Sequence, residues 1–333
     1  MCIVSLAGGG TDRLPPVMPV NEIDWTSEKS CREFARRRLA RTRAYWNLVP
    51  VVDDDSLPTI QNLAGTGAVA ASFVKDPVLS HEENTNYLDC PVMDWDRDIH
   101  RIGFSPDNVY YKAQMYMLRE FIESWDGTYG IVPFTHFDPL DLCNQWRGND
   151  LFFDYYDHEE ELTTLLEKAT EGVLQLEKHM HENFMYDYSF EGIAKGVWTP
   201  GNYLSCDAGD MSSPELLAKY GVPYTERIVT EWGGAYLHHH EMGLHQIPTW
   251  ARCRNLTLQF PNRDPNTDHL ANVMTEEQLK SSFDVALGFI ATYDEFVERA
   301  EYWAQGKCAV KVRCETQGEA EDVVQRTSKL RNF

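Results

Sequence analysis

Gly233-Gly234-Ala235-Tyr236-Leu237-His238-His239-His240 is an apolar run that opens on two glycines and ends on three histidines. Read as a β-strand, its side chains alternate, so His238 and His240 share one face while His239 takes the other. Two imidazoles on one face make half a metal site. A third ligand from elsewhere would complete a centre with one coordination position open. The same histidines also suit a polar rim bonded to backbone, and the run alone leaves both readings open.

Outward from this run, short apolar segments alternate with helical periodicity, the signature of repeated βα units. Candidate strands fall at 48–52, 87–93, 130–134, 184–188, 201–206, 234–237, 255–260 and 308–312. Between them, Leu162, Leu165, Leu166, Ala169, Val173 and Leu176 recur at helical spacing over 158–181. Ser213-Pro214-Glu215 supplies a cap, a proline at the first helical position and an early acid, and Thr275-Glu276-Glu277 opens another helix. Eight strand and helix alternations predict an α/β fold, a single (β/α)8 TIM barrel over 48–333. Residues 1–47 then form an irregular arm and a basic helix packed on the barrel. Chemistry in such a barrel sits at the C-terminal ends of its strands.

Residues just past each strand are therefore the candidate site residues. Asp53 and Asp54 come after the first, with Asp54 a candidate catalytic group and Asp53 a pocket residue, although the acidic run also reads as one solvated loop. His136 and Asp138 come after the third, as acid/base and pocket candidates or as a structural turn. Asp207 ends an apolar strand before Ala208-Gly209, which fits an acid/base role or a helix cap equally. Beyond the histidines lie Glu241, and later Cys314 and Glu315. Gly8-Gly9-Gly10 lacks the downstream Gly and Lys-Ser/Thr of a phosphate loop.

Composition bounds the function. With 43% hydrophobic and 25% charged residues, the 333-residue chain has the balance of a globular protein with a large core. A formal charge of −22 supplies no concentrated positive surface, which argues against nucleic acid as a partner. The basic stretch with Arg32, Arg36, Arg37, Arg38, Arg41 and Arg43 reads as a solvated helix face or a site for an acidic partner protein. Eight cysteines without C-x-x-C spacing indicate neither a disulfide framework nor a zinc ribbon, so a reduced, cytoplasmic protein is expected. No positively charged segment precedes the short apolar run at 1–7, which argues against a signal peptide. No stretch approaches the roughly 20 apolar residues of a membrane span, so no membrane partner is expected. Apolar and aromatic residues are numerous enough for a homodimer face.

Four segments together resemble the uroporphyrinogen decarboxylase superfamily. They are Pro139-Leu140-Asp141-Leu142 with Arg147-Gly148; Leu204-Ser205-Cys206-Asp207-Ala208-Gly209-Asp210; Ser213-Pro214-Glu215 leading to Val222-Pro223-Tyr224; and Gly233-Gly234 leading to His238. The resemblance, over about 53–322, implies a distorted TIM barrel with a deep pocket at its C-terminal mouth. The decarboxylase itself places arginines after its first strand to bind a polycarboxylate. Here that loop is Asp53-Asp54-Asp55, whose charge would repel such a substrate. The cobalamin-dependent methyltransferase branch resembles the chain better, since its zinc is held by His-x-Cys after the sixth strand and a Cys after the eighth. That likeness implies zinc on His238, His240 and Cys314, with Glu241 or Glu315 nearby, and a corrinoid supplied by a partner protein. His240 stands where cysteine is expected, which weakens the preference for thiol substrates. The expected function is therefore metal-dependent methyl transfer between a small molecule and a corrinoid. The alternatives are a metal-independent decarboxylase or lyase that uses Asp207 as proton donor, and a non-catalytic tetrapyrrole- or corrinoid-binding member.

Overall fold

The computed structural model describes residues 2–6, 14–48, 54, 58–184, 193–194, 197–198 and 201–330. Nine short strands build its parallel ladders: β1 (Cys2–Leu6), β2 (Thr59–Gln61), β3 (Gly130–Val132), β4 (Thr135–Phe137), β5 (Asn202–Ser205), β6 (Ala235–His240), β7 (Leu258–Asn262), β8 (Ala286–Thr292) and β9 (Cys308–Cys314). Seven form one sheet in the order β1-β9-β8-β7-β6-β5-β4, and β2 pairs with β3 separately. Every pairing among these nine is parallel. Only Pro133 and Phe134 separate β3 from β4, so the parallel order runs on through β3 to β2.

The expected closed barrel is not what the ladders form. Among the described residues no ladder joins β1 to β2, and the sheet is open at that seam. One bond reaches into it: the Val4 backbone N–H donates to Asp54 Oδ2 at 2.6 Å. Asp54, an expected catalytic group, is thus placed beside the first strand of the sheet. Its carboxylate satisfies an edge N–H of β1, which would otherwise lack an acceptor. Asp53 lies outside the described residues.

Strand placement differs from expectation at the N-terminal side. Cys2–Leu6 belongs to the sheet rather than to a separate arm, with register from Cys2 opposite Val310 to Leu6 opposite Cys314. The candidate at 48–52 falls almost wholly outside the described residues, and the strand found nearby is β2. The candidate at 87–93 contributes only Asn86–Leu88, in an antiparallel hairpin with Leu79–His81. Phe184 ends a helix, and 185–188 lie outside the described residues. Strands β1, β2, β4 and β8 all lie outside the expected set, and in β8 the unbroken apolar run Ala286-Leu287-Gly288-Phe289-Ile290-Ala291 has no period to tell strand from helix. Its glycine is dictated by a neighbour, because a Cβ at Gly288 would sit 2.3 Å from the Phe260 ring.

Helices cover one face of the sheet. Leu287, Phe289 and Ala291 of β8 and Val310, Val312 and Cys314 of β9 pack with Phe296, Trp303, Ala320 and Val323 from helices α6 (Tyr293–Trp303) and α7 (Gln317–Leu330). The opposite parity, Val132, Tyr203, Tyr236, Leu258, Phe260, Ile290 and Ala309, forms a cluster drawn from strands alone. Among the described residues no helix contributes to this cluster, and this helix-free face is the one that carries the histidines.

Helix α1 (Glu28–Trp46) starts at Ser27, whose side chain accepts the Ser30 N–H, and buries Cys31, Phe34, Ala35 and Leu39 at helical spacing. Several of its arginines make ion pairs within the chain. Arg32 and Arg36 bind Glu120 of α2 (Val109–Glu123), Arg37 binds Glu33, and Arg43 reaches Asp126. The long helix that the spacing predicts runs Glu159–Phe184 as α4, after α3 (Pro139–Arg147), and α5 (Val222–Glu231) packs on it.

A second tie fixes the loop after β7. Arg263 makes two bonds to Glu295, at 2.7 and 3.0 Å, and the Thr292 N–H donates to the same carboxylate. Burial pushes that carboxyl up, but these partners outweigh it and hold it at about 2. The folded value lies below the roughly 4.3 of a free glutamate, so the stabilisation is present above that pH and fades as pH falls toward 2. Glu295→Ala is expected to cost about 2 to 3 kcal/mol at neutral pH by urea unfolding, with the gap to wild type closing in acid.

Candidate functional site

Strand parity builds the site. Tyr236, His238 and His240 lie on the helix-free face of β6, while Leu237 and His239 face the helices. The rings stack upward from the cluster: Tyr203 and Tyr236 lie 5.3 Å apart, and Tyr203 and His238 6.3 Å. At the C-terminal end of the strand the His238 and His240 rings are 4.9 Å apart and inclined at 76°.

Asp207 completes the group from the end of β5. Its Oδ1 lies 3.6 Å from His240 Nε2 and 3.9 Å from His238 Nε2. One potential ligand atom from each residue falls within 4.8 Å of the others, a spacing that a single ion could bridge. His238 is buried, His240 partly so, and Asp207 half exposed, which leaves an approach from solvent.

A second set of groups orients these three. Asp264, two residues past β7, accepts from His240 Nδ1 at 2.6 Å, so the Nε2 lone pair is directed toward Asp207. A carboxylate behind a ligating imidazole fixes the tautomer and raises ligand basicity. Asp210 accepts the His240 backbone N–H at 2.6 Å and contacts His239 Nδ1 at 3.1 Å, clamping the end of β6. Ser205 Oγ lies 3.4 Å from Asp207 Oδ1.

Four carboxylates, Asp138, Asp141, Asp207 and Asp210, gather around the end of β5. Burial pushes the Asp207 carboxyl above the usual range, and the Asp210 charge adds to this while His240 and His239 oppose it. Burial does the same to Asp141, reinforced by the charges of Asp207 and Asp138. A cation beside Asp207 would relieve this repulsion. Asp264→Asn, which keeps shape but removes the charge behind His240, is expected to weaken metal affinity about 10- to 100-fold, measured by competition with a chromophoric chelator.

Other expected site residues lie elsewhere. Cys314 occupies the helix-facing parity of β9, buried with Val310 and Val312, so the expected His238, His240 and Cys314 ligand set is corrected. Cys314 lies four positions beyond Val310, and period-2 alternation sends both to the same face. His136 is buried on β4 against Glu177 of α4, with His181 Nε2 3.3 Å from the same carboxylate. Burial pushes Glu177 up, yet the two histidines outweigh it and hold it at about 2. His136 is thus part of a buried link between sheet and helix rather than a catalytic group in the pocket.

Asp138 is fully buried and caps α3, accepting from the Asp141 N–H at 3.0 Å and the Thr225 hydroxyl at 2.6 Å. Glu241 accepts the Leu270 N–H and contacts His269 Nδ1, both at 2.8 Å, and so holds the helix Leu270–Val273. Neither lines the site as a pocket residue. Glu315 is exposed just past β9. The residues that sequence reasoning missed are Asp210 and the orienting role of Asp264. Only the position of Asp264 after β7 hinted at the latter.

Fold and site together define an α/β protein built on a parallel sheet, with a two-histidine, one-carboxylate group at the C-terminal ends of adjacent strands. No family model matches the chain, and no curated protein matches it. Among solved structures, a methyltransferase from Methanosarcina mazei is similar over 95% of this chain and 94% of its own, with a TM-score of 0.58 and 10% sequence identity. That likeness is one of fold.

Proposed function

We propose that this protein is a metal-dependent methyltransferase of the uroporphyrinogen decarboxylase-like type, moving a methyl group between a small substrate and a corrinoid carried by a partner protein. The observation that carries the reading is the convergence of Asp207, His238 and His240 where a parallel α/β fold places its chemistry. The fold likeness to a methyltransferase supports it. The donor set suits zinc: two imidazoles and a carboxylate carry one negative charge, as two imidazoles and a thiolate would, but with a harder third ligand.

A bound divalent cation would supply Lewis acidity to a substrate oxygen or sulfur at the open position. The chain's own residues do the rest. Asp264 holds the His240 ring in one tautomer, and Asp210 holds the backbone beneath it. The Tyr203 and Tyr236 rings close the floor below His238 against water. Half-exposed Asp207 faces the side from which a substrate and a docked corrinoid would arrive.

The test is metal analysis of the purified chain, then incubation with methylcobalamin and a panel of small thiols and alcohols. About one zinc per chain and acceptor-dependent demethylation, seen as a change in corrinoid absorbance, are expected. A chain without stoichiometric metal whose turnover of a carboxylate substrate survives chelator would instead establish the metal-independent lyase. The raised pKa of Asp207 favours that second reading, as a proton donor to a carbanion.

A further inference from the structure

We propose that Lys311 and Arg313 form an anion-binding subsite on the same face as the histidines, so that the substrate carries an oxyanion such as a carboxylate, phosphate or sulfonate. This deepens the methyltransferase reading and rests on it for the identity of the site, but not for the binding of the anion.

Placement on the face comes from register. Ala309 belongs to the strand-only cluster, and Lys311 and Arg313 share its parity on β9. Across the ladder, Lys311 stands opposite Ile290, another member of that cluster, and Arg313 stands opposite Thr292. Adjacent residues in register project to the same side of a sheet, so both cations lie on the helix-free face. Arg313 is the nearer to the C-terminal end of β9, the end at which β5 and β6 present Asp207 and His240.

Among the described residues the two side chains are also uncompensated. Neither makes an ion pair or hydrogen bond with any of the described residues, whereas Arg32, Arg147 and Arg263 each hold carboxylates. Lys311 is partly buried, and both burial and the neighbouring Arg313 depress its pKa. Two like charges on alternate residues of one strand, one of them desolvated, are costly in the absence of an anion. In a chain of net charge −22 they are a local positive feature on an otherwise carboxylate-rich end of the sheet. Arginine can grip an oxyanion through two N–H groups, and lysine supplies a point charge deeper in. A substrate held this way would point its other end toward the metal ligands.

The experiment is isothermal titration of the full-length chain with inorganic phosphate, and separately with sulfate and acetate, using Lys311→Met, Arg313→Gln and His240→Ala variants checked for folding by circular dichroism. Wild type is expected to bind at least one of these anions saturably. Each cation variant should weaken that binding tenfold or more, and Lys311→Arg should retain it. His240→Ala should bind the anion as wild type does, which separates this subsite from the metal reading. Metal binding retained in His240→Ala, with anion binding intact, would count against the ligand set alone. Should Lys311→Met fail to fold, exposed Arg313→Gln carries the test. Unchanged affinity in the folded cation variants, or no saturable binding of any of the three anions to wild type, overturns the proposal.

Discussion

On the proposed function, replacing His240 with alanine is expected to abolish stoichiometric metal binding and with it methyl transfer. The substitution removes one of the three proposed ligands and also releases Asp264, whose carboxylate is directed at the His240 ring. Affinity should fall by more than the about 10- to 100-fold expected for Asp264→Asn, because a direct ligand is lost rather than its support. Loss of the cation should remove several kcal/mol of charge stabilisation, about a thousandfold or more in rate. The fold should survive, since His240 is partly exposed and its backbone N–H still donates to Asp210. Metal content by mass spectrometry of the desalted protein, beside thermal unfolding, reads both effects. Full metal occupancy in a folded His240→Ala protein would rule out the ligand set of Asp207, His238 and His240.

Gly243→Ala should damage the same site without touching a ligand. A Cβ at Gly243 would lie 1.7 Å from Asp210 Oδ1, 2.4 Å from its Cγ and 2.8 Å from its Cβ. Contact with the Asp210 Cβ means that rotating the carboxylate alone does not clear the clash. Asp210 must move, and it clamps the end of β6 through the His240 N–H and the His239 ring. Overpacking of this kind costs about 3 kcal/mol, and buried His239 loses a partner as well. A midpoint shift in urea together with weakened metal binding is the expected pair of results. Wild-type stability and metal affinity in Gly243→Ala would mean that Asp210 does not position the histidines.

A pH series tests the buried ties independently. Both Glu177 and Glu295 are held at about 2 in the folded chain, so each stabilises it above the free-glutamate range and stops doing so as acid approaches 2. The Glu177 contribution belongs to the link between β4 and α4, and His136 is its partner.

Much of the site was legible because it is local. The period-2 alternation of 236, 238 and 240 places two imidazoles together whatever surrounds them, and Asp207 sits at the end of a recognisable strand. Capping residues such as Ser213 and Thr275 likewise announce their helices, since a cap acts over three residues. Cys314 marks where local pattern stops being informative. Position after a strand says nothing about face unless the strand's parity is anchored, and β9 is anchored by Val310 and Val312 packing on α6 and α7. Asp138 and Glu241 mislead for a related reason: a buried acid after a strand caps a helix as readily as it binds a ligand.

Residue order alone was enough to establish the alternation of strands and helices, the shared face of His238 and His240, and the acidity that disfavours nucleic acid. These depend on residue type, short spacing and composition, which act within one element or on the whole chain. Only in the folded chain does it emerge that Cys2–Leu6 joins β9, that Asp207 rather than Cys314 stands beside the histidines, and that Asp264 and Asp210 orient them. Those outcomes depend on contacts between residues up to hundreds of positions apart, set by which faces bury against which helices, and no local pattern encodes them.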